Sequence, residues 1–307
     1  MRTWRPSTDP NASLVLEPAV TPGSGVLSVG AYGSYAFHPV AVRAPGSDVE
    51  LRPVAHALAV DAVANLGIGE RFAVGAALPV LVYQEGTGTL PTSGIGDLGI
   101  SLKATLLPNA HGGLGLAALG YGTLPTGDRA SFASDHTVTG TFRLLAEYTI
   151  LIALLEASVG YTARTDNHTW PAGAVRFGGE IPWSIGLVSR PAAMGLDPGN
   201  RQRVELAFHG WLPAGPVGPF GSGDPGSAKL SPVLFAFDDR VEIGHYRDTF
   251  VTVGGEIGLN DAIGVPTFRA VLAFGWAPRS HDRDHDGVTD DFDSCPDEPG
   301  TKGGCPE

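Results

Sequence analysis

Hydrophobic and polar residues alternate one by one through most of the chain up to Trp276. In the run at residues 137–150, apolar residues such as Phe142 take every second position, polar residues such as Arg143 take the others, and Leu145 is the exception. Because successive side chains of a strand point to opposite faces, this pattern predicts a β-strand with one apolar and one polar face.

The same alternation recurs in ten further runs of similar length. A closed antiparallel barrel with both termini at one rim needs an even number of strands, so we expect a twelfth strand at residues 13–20 or 230–237. The ten runs are residues 27–37, 56–66, 71–83, 98–106, 114–124, 155–163, 181–190, 203–212, 245–259 and 265–276.

The connections between the runs differ in length. Short turns such as residues 67–70 and 108–113 contrast with longer loops such as 85–93, 166–178 and 213–229, an arrangement typical of outer-membrane barrels. The predicted fold is all-β: an antiparallel transmembrane β-barrel of about 12 strands, within a range of roughly 10 to 14. We place an N-terminal extended segment at residues 1–24, the barrel at 25–279 and a short C-terminal segment at 280–307.

The composition of the polar face separates a membrane barrel from a soluble β-sandwich. A sandwich surface is rich in Lys and Glu, whereas this face is mostly Gly, Ala, Ser and Thr, and charged residues make up only 17% of the chain. We therefore expect its few charges to line a lumen. The predicted lumen charges are nearly balanced between acids and bases: Asp61, Asp97, Glu147, Glu156, Glu205 and Glu256 with Lys103, Arg143, Arg164, Arg203 and Arg269.

Such a balance does not favour ion selectivity, because a selective pore shows one dominant sign of charge. We predict a narrow lumen, filled by its own polar side chains or at most weakly conducting. The alternative from a different class is a secreted or surface-attached soluble β-sandwich adhesin that binds calcium. Neither hypothesis includes nucleic acid, since the chain carries a net charge of −12 and no basic stripe.

The sequence shows neither a membrane-spanning helix nor a signal peptide. The longest uninterrupted apolar stretch, residues 150–155, is far shorter than the ~18 residues of a membrane helix. The start, MRTWRPSTDP, lacks the features of a signal peptide, so an exported protein is expected to be represented here in its mature form. Aromatic residues near the run ends fit interface girdles: Tyr83, Tyr148, Trp183, Trp211, Phe274 and Trp276.

The acidic stretch after the barrel has the spacing of a twelve-residue calcium loop. Oxygen ligands at loop positions 1, 3, 5, 7, 9 and 12, with Gly287 at position 6, suit calcium, which prefers six to eight oxygens. No helical pattern flanks the loop, which argues against an EF-hand. The predicted ligands are Asp282, Asp284, Asp286, the carbonyl of Val288, Asp290 and Asp293.

The chain has two cysteines, Cys295 and Cys305, and both lie in this acidic tail. Two cysteines this close together, and nowhere else, favour one small disulfide loop in an oxidising compartment; two free thiols are the alternative.

The aspartate ladder running into Cys295 and Pro296 resembles a thrombospondin type-3 repeat. An alternating-strand domain followed by such a repeat resembles the OmpA family of bacterial outer-membrane proteins, as do GTLPTGDRASF at residues 122–132 and GWAP at 275–278. The resemblance implies an outer-membrane location, a periplasmic tail, lipid contact and a role in envelope integrity. In that family the linker leads to a peptidoglycan-binding domain, so peptidoglycan is expected as a partner only through a domain absent from these residues.

No catalytic motif stands out. Gly94, Gly96 and Gly99 form a GxGxxG, but it precedes a strand instead of opening a helix, so we interpret it as a hairpin entry and not a dinucleotide site. The chain contains no GxSxG, HExxH or phosphate-loop pattern. We expect a protein that is not an enzyme.

Overall fold

A computed structural model of the chain describes residues 4–43, 50–87, 91–109, 113–128, 131, 133–134, 137–150, 152–165, 168–169, 176–215, 231–278, 295, 298–300 and 305–306. Twelve strands form the wall of a barrel, and each neighbouring pair is antiparallel. They are β1 (Leu27–Arg43), β2 (Glu50–Ile68), β3 (Phe72–Glu85), β5 (Leu98–Leu107), β6 (Leu114–Leu124), β7 (Thr139–Ile150), β8 (Ala153–Arg164), β11 (Glu180–Ser189), β12 (Gln202–Pro213), β13 (Val233–Ile243), β14 (Thr249–Gly258) and β15 (Phe268–Trp276).

The sheet closes on itself. β1 pairs with β15 on one side and with β2 on the other, and β2 also pairs with β3, so the order returns to its start. The small strands β4 (Gly94–Ile95), β9 (His168–Thr169) and β10 (Arg176–Phe177) lie outside the wall, where β4 pairs with β3 and β9 with β10. The predicted antiparallel barrel of about 12 strands is confirmed, and the two stacked sheets of a β-sandwich are excluded.

The two faces of the wall follow the sequence alternation. Along β3, exposed and buried residues alternate strictly from Phe72 to Leu81. The outward side chains are large and apolar, with Phe142 54% and Leu272 57% exposed. Strands of nine or more residues are long enough to cross a bilayer at the usual tilt.

The turns and termini divide between two rims. Residues 21–26, the β2–β3 turn, the β7–β8 turn and Ala277 lie at one rim, where Val29 pairs with Trp276; we call it the terminal rim. The opposite rim carries the longer connections and is called the loop rim. A short 3-10 helix, Pro191–Met194, lies in the β11–β12 connection at the terminal rim.

The twelfth strand is β13, which begins within the second predicted range. The other predicted range, residues 13–20, is wrong as a strand: these residues lie inside the barrel. Their main-chain groups bond to side chains of the wall instead of to a neighbouring strand.

Residues 4–21, which we call the lumen segment, fill much of the bore. The segment enters at the terminal rim, folds back through a turn at residues 9–12, and reaches the loop rim at Trp4. Three small apolar clusters join it to the wall, around Leu14, Leu16 and Ala19. None of the helical residues that the structure describes forms a span long and apolar enough to cross a membrane.

Candidate functional site: the lumen and its N-terminal segment

The predicted lumen charges lie on the inward side of the wall. The acids are almost fully buried, Lys103 is 2% exposed, and the guanidinium groups of Arg143, Arg164 and Arg203 are partly buried. The lumen segment occupies much of the space that these polar side chains were predicted to fill by themselves. Many of the wall charges bind the segment or a neighbouring strand.

Four charged side chains on β12 and β13 form what we call the charge quartet. Arg203 lies directly opposite Arg240, and Glu205 lies directly opposite Asp238. Like charges at directly opposite positions destabilise a pair of strands unless each charge has another partner. Here the two acids share a side-chain hydrogen bond with each other, and the main chain of the lumen segment supplies further partners.

The two acids of the quartet accept main-chain N–H groups. Leu14 N–H donates to Asp238 Oδ2 over 2.8 Å, and Leu16 N–H donates to Glu205 Oε2 over 2.9 Å. Val15 N–H donates to the other Glu205 oxygen over 3.2 Å. These three main-chain contacts hold residues 14–16 against β12 and β13.

The two arginines of the quartet donate to main-chain carbonyls. Arg203 Nη2 donates to the carbonyl of Ala12 over 3.0 Å, and Arg240 Nη1 donates to the carbonyl of Pro10. Arg240 also lies over the ring of Phe250, with its guanidinium carbon 3.8 Å from the ring centroid. The quartet therefore contacts both the N–H and the C=O groups of residues 10–16.

Lys103 joins the two arms of the folded-back lumen segment. Its Nζ lies 3.2 Å from Asp9 Oδ2 and 3.4 Å from Glu17 Oε1. Asp9 and Glu17 are the two ends of the folded-back stretch, and all three side chains are nearly fully buried. A buried amine needs compensating charge, and these two carboxylates supply it.

The two ends of the lumen segment bind other parts of the wall. Near the terminal rim, Ala19 N–H donates to Glu147 Oε2 over 2.7 Å and Thr105 Oγ1 donates to the Ala19 carbonyl over 2.8 Å. Farther along, Thr8 Oγ1 lies 2.6 Å from Ser101 Oγ. Gly75 leaves the room for this contact, because a Cβ there would lie 2.5 Å from Thr8 Oγ1.

Other ion pairs among the described residues join different elements of the barrel. Arg269 Nη1 donates to Glu256 Oε1 over 2.6 Å, and His209 Nε2 lies 3.0 Å from the second Glu256 oxygen. Arg164 pairs with Glu180 over 2.9 Å. Arg143 donates to Ser158 and Ser184, and Asp61 is buried beside the small cavity that Arg5 also lines.

A cavity of about 860 Å³ opens at the terminal rim beside the segment, and we call it the vestibule. Glu147 and Glu156, directly opposite each other on β7 and β8, both line it. Glu156 is 4% exposed, and its Oε2 atom has no hydrogen-bond partner among the described residues. Arg190 at the edge of the vestibule donates to both carboxylate oxygens of Glu242, over 3.1 and 3.2 Å.

The loop at the mouth of the vestibule is held by Asp197. Its Oδ2 atom accepts the N–H of Gln202 over 2.7 Å and also the N–H of Arg201. The main-chain donor at Gln202 is the largest cause that lowers the pKa of Asp197 below its usual value, and the donor at Arg201 acts in the same direction. Asp197 therefore stays ionised at neutral pH and fixes the loop.

The predicted aromatic residues lie towards the two rims. Tyr148, Phe274 and Trp276 are exposed near the terminal rim and Tyr83 is exposed near the loop rim. Trp183 and Trp211 are half-buried near the loop rim, where Trp211 pairs with Pro182.

The C-terminal tail is described only in part. The predicted calcium ligands Asp282, Asp284, Asp286, Val288, Asp290 and Asp293 lie outside the described residues. Cys295 and Cys305 form a disulfide. Within the described part of the chain, no group of three or more His, Cys, Asp or Glu side chains is placed to hold a metal ion.

Sequence reasoning missed the lumen segment as a ligand of the wall, and it missed Asp238 and Arg240 as inward charges. One signal was present: Leu145 interrupts the polar face of β7, and in the structure it packs with Ala117 and Leu119 against Ala19. Apolar residues at inward positions, together with the apolar stretch at residues 14–16, indicate that something apolar enters the bore.

Several solved structures are similar to this barrel, among them an outer membrane channel and a porin. The COG4313 outer membrane channel from Pseudomonas putida F1 superposes with a TM-score of 0.63 at 14% identity, over 85% of this chain and 99% of that chain. The chain has the fold of an outer-membrane β-barrel. The NanC porin superposes with a TM-score of 0.51 at 6% identity, over 81% of this chain and 98% of that chain.

At these identities the likeness concerns the fold alone. No family model matches the sequence, and no curated protein matches it. The comparisons give no support to the OmpA family in particular or to a thrombospondin type-3 repeat, so both resemblances stay predictions.

Proposed function

We propose that this chain is a bacterial outer-membrane β-barrel protein with a non-catalytic role in envelope integrity, and that its lumen passes small solutes only slowly. The observation that carries the proposal is the lumen segment, held in the bore by buried contacts to Lys103, Glu205 and Asp238. An ion crossing the barrel has to pass beside this segment. The free bore is therefore much narrower than that of an empty barrel.

The outward face supports a position in lipid. Large aliphatic and aromatic side chains are exposed on every side of a closed sheet, and a closed sheet leaves no unpaired strand edge in the bilayer. A contiguous apolar surface of this kind is rare on soluble proteins. The two similar structures are described as an outer membrane channel and a porin, which agrees with this location.

Extraction and gel migration test the location. We expect the chain to need detergent for monodispersity and to migrate differently on gels before and after heating, because a folded barrel resists dodecyl sulfate. A chain that stays monodisperse and monomeric without detergent contradicts the proposal.

Planar-bilayer recording tests the narrow lumen. We expect a small conductance with weak selectivity, and a sample unfolded by heat and then reconstituted is the control for leaks. A large, stable conductance contradicts the proposal.

We further propose that the terminal rim faces the periplasm and that residues 280–307 form a calcium-binding repeat there, as in large-barrel relatives of the OmpA type. The spacing of Asp282, Asp284 and Asp286 supports the calcium site, and the disulfide between Cys295 and Cys305 suits an oxidising compartment. Peptidoglycan is a partner in this proposal only through a domain beyond these residues.

Calorimetric titration with calcium tests the tail. We expect saturable heat with about one ion per chain. The variant D284N/D286N is the matched control, since it keeps side-chain size while it removes two charges. Equal heats for the two proteins contradict calcium binding at these residues.

A further inference from the structure

The charge quartet has the chemistry of a peptide-recognition site. Two arginines donate to carbonyls, and two carboxylates accept N–H groups, on neighbouring strands at positions two residues apart. The two acids share a side-chain hydrogen bond with each other, and each of them also accepts a main-chain N–H. Main-chain groups of a peptide satisfy both pairs at once, because a peptide offers donors and acceptors in turn.

We propose that the inward face of β12 and β13 is a binding site for peptide main chain, that residues 10–16 are its resident ligand, and that it accepts an equivalent peptide supplied as a separate molecule. This inference rests on the lumen segment of the proposed function and adds the chemical class of the ligand. It requires neither conduction nor a membrane.

The apolar clusters define the side chains that such a peptide needs. Leu14 packs in the cluster that contains Tyr32 and Phe250, and Leu16 packs against Val188 and Ala207. Both leucines are almost fully buried. Val15 is partly buried and packs against both clusters. The site therefore selects apolar side chains at residues 14–16, while the quartet bonds to main-chain groups of residues 10–16.

Lys103 adds the charge preference of the site. It contacts Asp9 and Glu17, which flank the residues bound by the quartet. The preferred ligand is a short apolar peptide with one carboxylate on each side and with free N–H groups at the positions of Leu14 and Leu16. Proline at those positions removes the donors that Asp238 and Glu205 accept.

The test uses the full chain, folded first and then cut. A protease site is inserted between Ser24 and Gly25, which are exposed in the turn at the terminal rim. Cleavage there breaks the covalent link between the lumen segment and the barrel wall and leaves only the non-covalent contacts. The cut protein in detergent is passed over a size-exclusion column and analysed by mass spectrometry. A labelled peptide of residues 4–22 is then added to measure rebinding by fluorescence anisotropy.

We expect the cut wild-type protein either to keep its segment through the column or to rebind the labelled peptide with a stoichiometry of about one. Loss of the segment without saturable rebinding overturns the proposal. Uncut protein is the control for adsorption and is expected to bind no labelled peptide. Heat-modifiable migration on a gel shows whether the barrel of the cut protein is still folded. A misfolded sample is therefore not counted as a negative result.

Proline variants test recognition of the main chain. The double variant L14P/L16P, in the labelled peptide, is expected to bind at least about 100-fold more weakly, since each charge-assisted bond lost costs about tenfold or more. The variant V20P is the matched control, because Val20 is exposed, and it should bind within about threefold of the wild-type peptide. Equal binding of both proline peptides overturns main-chain recognition.

The two proposals fail separately. If the bilayer recordings show a wide open pore while the cut protein retains its segment, the peptide site stands and the slow-passage function does not. If the conductance is small but the cut protein neither keeps nor rebinds the peptide, the slow-passage function stands and the peptide site does not.

Discussion

Two parts of the same lumen wall carry paired acids and use them differently. At Glu205 and Asp238, both carboxylates accept main-chain N–H groups of the lumen segment. At Glu147 and Glu156, beside the vestibule, one carboxylate accepts the N–H of Ala19, and the other has an oxygen with no hydrogen bond to any part of the chain that the structure describes. Both acids of the first pair bind the lumen segment, whereas in the second pair Glu147 does so and both acids line an open cavity. We therefore expect Glu156 to contribute much less to stability than Glu205.

The largest effect is expected from Lys103→Met on the segment side. The change leaves Asp9 and Glu17 buried without their cation, and breaking a buried ion pair by removing one partner costs about 3–5 kcal/mol. We expect earlier unfolding in denaturant and a higher conductance in planar bilayers. The triple variant K103M/D9N/E17Q removes the unpaired charges and should recover part of the loss. An unchanged conductance and midpoint would show that Lys103 does not hold the segment.

The second effect concerns packing of the segment. Leu14→Ala removes a side chain that is 2% exposed, and substitutions of this kind cost about 2–5 kcal/mol in a packed core. Val20→Ala in the same segment is the control, since Val20 is 45% exposed and its loss should change stability by about 0.5 kcal/mol or less. Denaturant unfolding in detergent measures both. Equal shifts would place Leu14 outside the packed lumen.

A matched pair of substitutions tests the two acid pairs directly. Glu205→Gln replaces a carboxylate that accepts two N–H groups with an amide that can accept at one oxygen only, and we expect a loss of about 1.5–3 kcal/mol. Glu156→Gln faces the vestibule and should change stability by less than about 1 kcal/mol. The comparison between the two regions is wrong if Glu156→Gln costs as much as Glu205→Gln.

The smallest effect is expected at the mouth of the vestibule and depends on pH. Because hydrogen bonds lower the pKa of Asp197 in the folded loop, ionised Asp197 stabilises this loop at pH values above its unfolded pKa of about 3.9. This stabilisation is lost as the pH falls through the lower pKa that Asp197 has in the folded loop. We expect limited proteolysis of the β11–β12 connection to speed up only at such acid pH. In the Asp197→Asn variant, the rate at which the protease cuts this connection should depend less on pH. If the cleavage rates of both proteins depend equally on pH, Asp197 is not the cause of the pH dependence.

The barrel could be predicted from the sequence because a strand with one face in lipid and the other in a lumen has a period of two along the chain. The alternation predicted the exposed position of Phe142 and the inward position of Lys103. The boundaries were less accurate. β1 continues to Arg43, well beyond the predicted run at 27–37, and β2 already begins at Glu50, before the predicted run at 56–66. There the two strands pair mainly with each other and carry register shifts, so the alternation is interrupted.

The contents of the lumen could be predicted only in part. An inward charge is visible in the pattern of one strand, but its partner depends on contacts between distant parts of the chain, such as Leu14 with Asp238. The lumen segment has no strand or helix periodicity that marks its place, and its main-chain contacts leave no trace in side-chain patterning. The prediction that acids and bases fill the lumen therefore missed the peptide between them.

Residues 22–26 connect the lumen segment to the start of β1, and the turn they form is fixed against Gly67. Gly67 N–H donates to the Val26 carbonyl and Gly25 N–H donates to the Gly67 carbonyl, each over 3.0 Å. Five residues reach at most about 18 Å when fully extended. A segment drawn out of the bore would therefore remain tethered beside the mouth, at an effective concentration of the order of millimolar, so that any opening of the lumen would be brief and would reverse without a second component.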